Sequence, residues 1–113
     1  YIGLELAQSI YSIALDNRAT GYTKNYNADV ASYAKKDLKK GDKLDGEGGF
    51  CARGRLVTSG KSKREKILPL GLTDNAILVR DINKDDIIKL DDVDLDIPED
   101  IVKAREYQYN TLN

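Results

Sequence analysis

The sequence predicts a mainly β domain built on an internal pseudo-twofold repeat, preceded by one apolar helix and followed by a short C-terminal helix. Three observations carry that prediction. The first is a repeat: Lys36-Asp37-Leu38-Lys39-Lys40-Gly41-Asp42-Lys43-Leu44 returns forty-four positions later as Arg80-Asp81-Ile82-Asn83-Lys84-Asp85-Asp86-Ile87-Ile88. Both copies read basic, Asp, aliphatic, polar, Lys, Gly or Asp, Asp, any residue, aliphatic. An Asp at the head of such a stretch can accept from its own backbone two or three residues on and close a turn. Two copies are too few for a solenoid and point to two similar halves about a local twofold. The second observation is a strand pattern leading into each copy, period-two alternation before the first and the apolar run Ala76-Ile77-Leu78-Val79 before the second, and the third is helical periodicity at the two ends.

The totals set the bounds. A chain of 113 residues holds one compact domain with an appended helix or two. The formal net charge of −1 supplies no global field for nucleic acid or an anionic membrane, so neither partner is expected. A single cysteine, Cys51, allows no internal disulfide and leaves a cytoplasmic origin as the default expectation. No apolar run reaches the roughly 20 residues of a membrane span. The chain contains neither Met nor His. The missing Met leads to the expectation of a processed chain or a segment of a longer protein. The missing His removes the commonest general base and metal ligand, leaving carboxylates, Lys, Tyr and Cys51 for any catalysis.

From Ile2 to about Asn17, Leu4, Leu6, Ala7, Ile10, Tyr11, Ile13, Ala14 and Leu15 recur at three- and four-residue spacings on more than one side of a helix. So wide an apolar arc expects burial on most faces, either on the chain's own core or in an inter-domain or dimer contact. Asn17 and Gly21 suit a left-handed helix end. Residues 22–28 read as a polar linker. The alternation of Val30, Ser32 and Ala34 against Ala31, Tyr33 and Lys35 predicts a strand running into the first repeat.

Asp45-Gly46-Glu47-Gly48-Gly49 is a tight turn. It lacks the Lys-Ser/Thr pair of a phosphate loop and the glycine spacing of a dinucleotide site, and its acids would repel phosphate. Phe50 to Val57 reads as a strand bulged at Gly54, with Cys51 a small core residue rather than a nucleophile, since no His exists to activate it. Thr58 to Lys66, rich in Lys and Arg, reads as a mobile solvated loop. Ile67-Leu68-Pro69-Leu70-Gly71-Leu72 is a buried irregular segment, because Pro69 and Gly71 interrupt any strand. Strands are predicted at Ala76–Arg80 and Ile87–Leu90. Asp91 to Asp96 alternates acid and aliphatic as a half-buried edge with solvated charges. Asp96 and Glu99 have capping-box spacing with Pro98 in the first turn, predicting a helix from Pro98 to about Tyr107 that packs through Ile101, Ala104 and Tyr107.

The segment from Val30 to Leu95 resembles a SAF domain, a beta-clip module. The resemblance rests on Ala34-Lys35-Lys36-Asp37-Leu38-Lys39-Lys40-Gly41-Asp42 and on Leu68-Pro69-Leu70-Gly71-Leu72 followed by Val79-Arg80-Asp81-Ile82. Gly3-Leu4-Glu5, Ala19-Thr20-Gly21 and Leu44-Asp45-Gly46-Glu47-Gly48-Gly49-Phe50 are also similar to the C-terminal third of homoserine-dehydrogenase-like oxidoreductases, the group with the deoxyxylulose-phosphate-reductoisomerase-like enzymes. That resemblance implies a parent with an N-terminal Rossmann domain binding NAD(P), a central catalytic and dimerisation domain, and a SAF module at its end. Residues 1–21 would then close the preceding domain, 22–28 link, 29–96 form the SAF module and 97–113 the final helix and tail. No Gly-x-Gly-x-x-Gly occurs, so no cofactor site is expected in these residues. Tyr1 stands where the resemblance expects His, and Glu5 is the one ionisable residue in a matching motif of the catalytic region, so no catalytic residue carries over.

Two functions follow. The first is a non-catalytic module for interdomain packing, homo-oligomerisation through the first helix, or covering an active site. The alternative is a free-standing module that binds a sugar acid through Arg53, Arg55 and Arg80, whose planar donor forks match carboxylates. Ice binding is disfavoured because 33% of the residues are charged. An autonomous enzyme is disfavoured because the sequence offers no triad, nucleotide motif or metal-ligand cluster.

Overall fold

The computed structural model describes residues 2–112, apart from the side chain of Leu4; Tyr1 lies outside the described residues. In chain order the elements are α1 (Ile2–Asp16), β1 (Ala28–Ala34), β2 (Lys43–Asp45), β3 (Ala52–Thr58), α2 (Ser59–Arg64), β4 (Asp74–Leu78), β5 (Val93–Asp94) and α3 (Glu99–Thr111). One-turn 3₁₀ segments lie at Leu70–Leu72 and Leu90–Asp92. β1 and β3 form one antiparallel pair, and β2, β4 and β5 form a three-stranded antiparallel sheet in the order β2-β4-β5. The result is the small-sheet architecture with a helix at each end that the sequence predicts.

The repeat organises the centre. Leu38 N–H donates to Ile82 O at 2.8 Å, and Ile82 N–H returns the bond to Leu38 O at 2.9 Å. Around this exchange the hydrogen bonds come in pairs with the repeat's offset. Ala34 N–H donates to Asp86 O and Leu78 N–H to Asp42 O; Asp85 N–H donates to Ala34 O and Gly41 N–H to Leu78 O. Each half therefore lends its strand to the turn of the other. Gly41 (φ 89°) and Asp85 (φ 70°) occupy equivalent corners in the left-handed region, which Gly adopts freely and Asp tolerates better than most residues.

The head aspartates differ from the local-turn expectation. Asp37 Oδ1 accepts from Lys84 N–H and Asp81 Oδ1 from Lys40 N–H, each at 2.8 Å, so each caps the turn of the opposite copy. Closure of the first turn on itself falls to Asp42, whose carboxylate accepts from Lys39 N–H at 2.8 Å. The Lys40 N–H, with the Lys39 ammonium beside it, holds the Asp81 carboxyl below its ordinary pKa. The main core contains the equivalent pairs Ala34 and Leu78, Leu38 and Ile82, and Leu44 and Ile88, all buried. The Ile67–Leu72 run fills the remainder with Leu68 and Leu70, while Ile67 packs with Ala31 and Tyr33 in a second cluster.

Several local readings change. β3 pairs in continuous register with β1, Ser32 opposite Gly54, so Gly54 is no bulge. It is glycine because a Cβ there would lie 2.6 Å from Val30 Cγ1 and 2.8 Å from Leu70 Cδ2. Residues 59–64 are a helix rather than a loop: the Thr58 hydroxyl caps it by accepting from Lys61 N–H at 3.3 Å, and Ser62 is buried. The stretch after the second repeat makes the isolated bridges Tyr33–Ile87 and Ile67–Lys89 instead of a strand. Asp92 is 1% exposed, not solvated, and accepts from Lys89 N–H at 2.8 Å. α3 starts without a side-chain cap on Pro98 and runs four residues past Tyr107. Tyr26, placed by its polar neighbours in a linker, is buried.

The Gly-rich turn forms as read, and the helix stop does so at Asn17 alone, since Gly21 lies beyond the end of α1 and outside the left-handed region. Asn17 (φ 49°) ends α1 in the left-handed conformation, with its N–H on Ile13 O. Gly46 and Gly48 take φ of 75° and 80°, and the Asp45 carboxylate accepts from Phe50 N–H at 2.5 Å and Cys51 N–H at 3.0 Å. Those two amides hold the Asp45 carboxyl down at about 2. A folded-state pKa below the unfolded value of about 3.9 means its stabilisation is complete above that value and is lost as pH falls through about 2. We expect the urea midpoint of the protein to drop over this window, and Asp45→Asn to start lower and show a shallower acid dependence; equal slopes in the two proteins would contradict the assignment.

Candidate functional site

Three surface regions have the chemistry or the exposure to interact. The first surrounds the arginines singled out for carboxylate binding. Arg53 and Arg55 project from one face of β3, two residues apart, and both guanidinium carbons lie 5.8 Å from the centre of the Tyr33 ring. Arg53 is engaged by Asp85 at 2.7 Å, and Arg80 by the buried Asp92 at 2.5 Å. A hollow of about 610 Å³ opens beside them, bordered by Tyr33, Arg80 and Lys89 but also by Glu65, Asp81, Asp85 and Asp86. Four carboxylates around that hollow oppose an anionic ligand, and Arg80 is spent on compensating Asp92, a charge too buried to stand alone. Of the three arginines, Arg53 and Arg55 come together and Arg80 faces a different partner.

The second region was missed in the sequence. Asp29, at the start of β1, is the hub of a buried network that fastens α3 to the domain. Its Oδ2 accepts from the Tyr26 hydroxyl at 2.6 Å, from the Ser62 hydroxyl of α2 at 2.8 Å and from the Arg105 guanidinium of α3. Arg105 Nε donates to the Tyr109 hydroxyl at 2.9 Å, and the Tyr26 and Tyr109 rings pack tilted at 5.1 Å. Burial and then the hydrogen bond to Asp29 drive the Tyr26 phenol far above its ordinary pKa, so it serves as a donor and not as a base. The spacing of Arg105 and Tyr109, one helical turn apart, is the one sequence signal that points here. It places the attached face of α3 at Arg105 and Tyr109, which are half-buried, not at Ile101, Ala104 and Tyr107, which are exposed; Val102 borders the groove but is exposed as well. Between α3, α2 and the Ile67–Leu72 run lies a largely apolar groove of about 430 Å³, with Leu72, Leu90, Leu95, Ile97 and Val102 among its walls.

The third region is α1. Ile2, Leu6, Ile10, Tyr11, Ile13 and Leu15 are each at least 59% exposed. Of the two readings of this helix, packing on the chain's own core is therefore not what the structure adopts. The molecule extends 54 Å along its longest axis.

Catalytic and metal-binding groups follow the same logic of partners. Cys51 is buried, and burial, with the Asp45 carboxylate next to it, raises its thiol pKa, the wrong direction for a nucleophile. Among the described residues no group of three or more Cys, Asp or Glu side chains is arranged to hold a metal ion, and no helix is long and apolar enough to cross a membrane.

The Asp29 hub makes a stability prediction. Arg105→Ala leaves a buried carboxylate without its cation and is expected to cost roughly 3 kcal/mol, read from urea unfolding. Arg105→Lys is expected to recover little, because an ammonium cannot span Asp29 and Tyr109 with one planar fork. A loss within experimental error for Arg105→Ala would mean that α3 is not fastened through Asp29.

No curated protein matches the chain. The family model of the SAF domain matches residues 31–94, which runs from the middle of β1 through β5 and includes both copies of the repeat. With more than half of its length matched and both intertwined halves inside the match, the chain belongs to the SAF domain family.

Proposed function

We propose that this chain is a non-catalytic SAF module of a larger NAD(P)-dependent oxidoreductase of the homoserine-dehydrogenase-like group, and that α1 is its contact for interdomain packing and assembly. The observation that carries the assembly role is the exposed apolar surface of α1. Six large apolar side chains exposed on one fifteen-residue helix are surface of the kind that marks a protein contact. The parent context is supported by Gly3-Leu4-Glu5, Ala19-Thr20-Gly21 and the turn at Asp45 to Phe50, the segments similar to that oxidoreductase group. The NAD(P) site, the Rossmann domain and the catalytic domain belong to the parent in this reading, and covering the parent's active site is a role open to the module once α1 is docked.

The sugar-acid alternative draws less support, since Arg53 and Arg80 are engaged by Asp85 and Asp92 and the adjoining hollow is acidic.

The test of the assembly role is light scattering on the 113-residue chain against the double variant Leu6→Glu/Ile10→Glu. Both positions are exposed, so the substitutions leave the SAF core intact. The unaltered chain is expected to self-associate reversibly on concentration, and the double variant to stay monomeric with an unchanged thermal midpoint. A monomeric unaltered chain would overturn the assembly role. The parent context is read from the gene: a frame continuing upstream of Tyr1 with a strand, Gly-x-Gly-x-x-Gly and a helix is expected, and a stop codon directly upstream would contradict it.

A further inference from the structure

α3 is fastened to the domain near its far end. It is entered from residues 95–98, which carry neither helix nor strand, through Pro98, which gives the helix no side-chain cap. In its first half Lys103 pairs with Glu99 at 2.9 Å inside the helix itself. The contacts that tie it to the domain come from its second half and end on Tyr26 and Asp29. Arg105 donates to Asp29 and, at 3.3 Å, to the Tyr26 hydroxyl; the Tyr109 ring packs on the Tyr26 ring; and Leu112 O, just past the helix, accepts from Tyr26 N–H at 3.2 Å. No residue of α3 is buried, and neither hydrophobic cluster of the domain includes Tyr26 or a residue of α3. A helix with an irregular segment at one end, a polar fastening near the other and nothing sunk into the core has the form of a strap with a buckle.

The buckle lies where the chain enters the domain. Tyr26 is 5% exposed, whereas residues 17–25, between it and α1, are exposed throughout. From this placement we infer that α3 is a strap that opens and closes as a unit, and that its latch is shared with the N-terminal connection, so that holding Tyr26 in place closes the strap and drawing Tyr26 away opens it. Drawing Tyr26 away removes a hydroxyl, a ring and a backbone donor from the second half of α3, and it lets water reach the Asp29–Arg105 pair, whose attraction weakens in water. Opening α3 in turn strips Tyr26 of its cover and of its backbone acceptor. Each element therefore stabilises the other, and linkage makes the coupling equal in both directions. The hinge is the irregular segment 95–98, the kind of position that absorbs the backbone rotation of such a movement. Opening also uncovers Leu72, Leu90 and Leu95, which line the groove beneath the strap. The device ties the position of the chain leading from α1 to access to that groove, and it is a property of the SAF module that does not depend on the assembly role proposed for α1.

Native-state hydrogen exchange of the unaltered chain reads the opening directly. We expect the amides of α3 and of Tyr26 to exchange with one common free energy, smaller than that of Leu38 and Ile82, and with a smaller denaturant dependence, because the opening exposes less surface than global unfolding. Arg105→Ala is expected to speed exchange at α3 and at Tyr26 by the same factor, at least about tenfold, since it leaves a buried carboxylate without its cation. Tyr26→Ala, which leaves the sequence of α3 unchanged, is expected to speed exchange at α3 as well. Opening of α3 while the Tyr26 amide stays protected would overturn the shared latch, and exchange of α3 only together with Leu38 would overturn the strap. Should the variants fail to fold, chymotrypsin applied to the unaltered chain decides. Tyr22, 70% exposed, is cut at once, and the buried Tyr26 is expected to be cut at the rate set by the opening of α3. Cutting after Tyr26 only at the rate of global unfolding would contradict the inference.

Discussion

Two backbone hydrogen bonds, one in each direction between Leu38 and Ile82, sit where the two halves of the domain cross, and the rest of the fold is arranged around that crossing. Because a strand from each half pairs with the turn of the other, neither half satisfies its own backbone groups. Leaving those buried donors and acceptors unpaired would cost more than any local turn could recover. The head aspartates extend the same dependence outward, Asp37 onto Lys84 and Asp81 onto Lys40. The aliphatic pairs beneath them meet in one core, so apolar burial and hydrogen bonding reward the same event.

On this intertwined frame the ends of the chain are attached very differently. α3 has no buried residue and is fixed by polar contacts concentrated on Asp29, a carboxylate that serves three side-chain donors at once. Such a hub specifies where the helix lies, because each donor has a defined direction, but it leaves the apolar side of the helix arching over a groove instead of filling it. α1 has the reverse character, rich in exposed apolar surface.

Much of the frame was legible in the sequence because the repeat, the glycines and the apolar run each leave a local mark. Asp45 through Gly49 could only be a turn, Asn17 could only stop a helix cheaply, and Pro69 with Gly71 ruled out a regular strand. What the pattern could not reveal was partnership across distance. A repeat shows that Asp37 and Asp81 do equivalent work but not that each does it for the other copy. Asp92 sits in an alternating acidic stretch where solvation is the default, and the Arg80 guanidinium and Lys89 amide that compensate its burial are not part of that pattern. The same limit hid Asp29 and Arg105, seventy-six residues apart, and it made Arg53 and Arg80 look like free ligand-binding groups. Gly54 was read from its own strand alone, when the reason for it lies in Val30 and Leu70.

The central claim is that the two repeat copies form one cooperative unit through their crossed backbones. Native-state hydrogen exchange of the amides of Ala34, Leu38, Leu78 and Ile82 tests it most directly, since two of these belong to each half. The account predicts that all four exchange only by global unfolding, with one common free energy and one denaturant dependence. Exchange of Ala34 and Leu38 through a partial opening that leaves Leu78 and Ile82 protected, or the reverse, would contradict it.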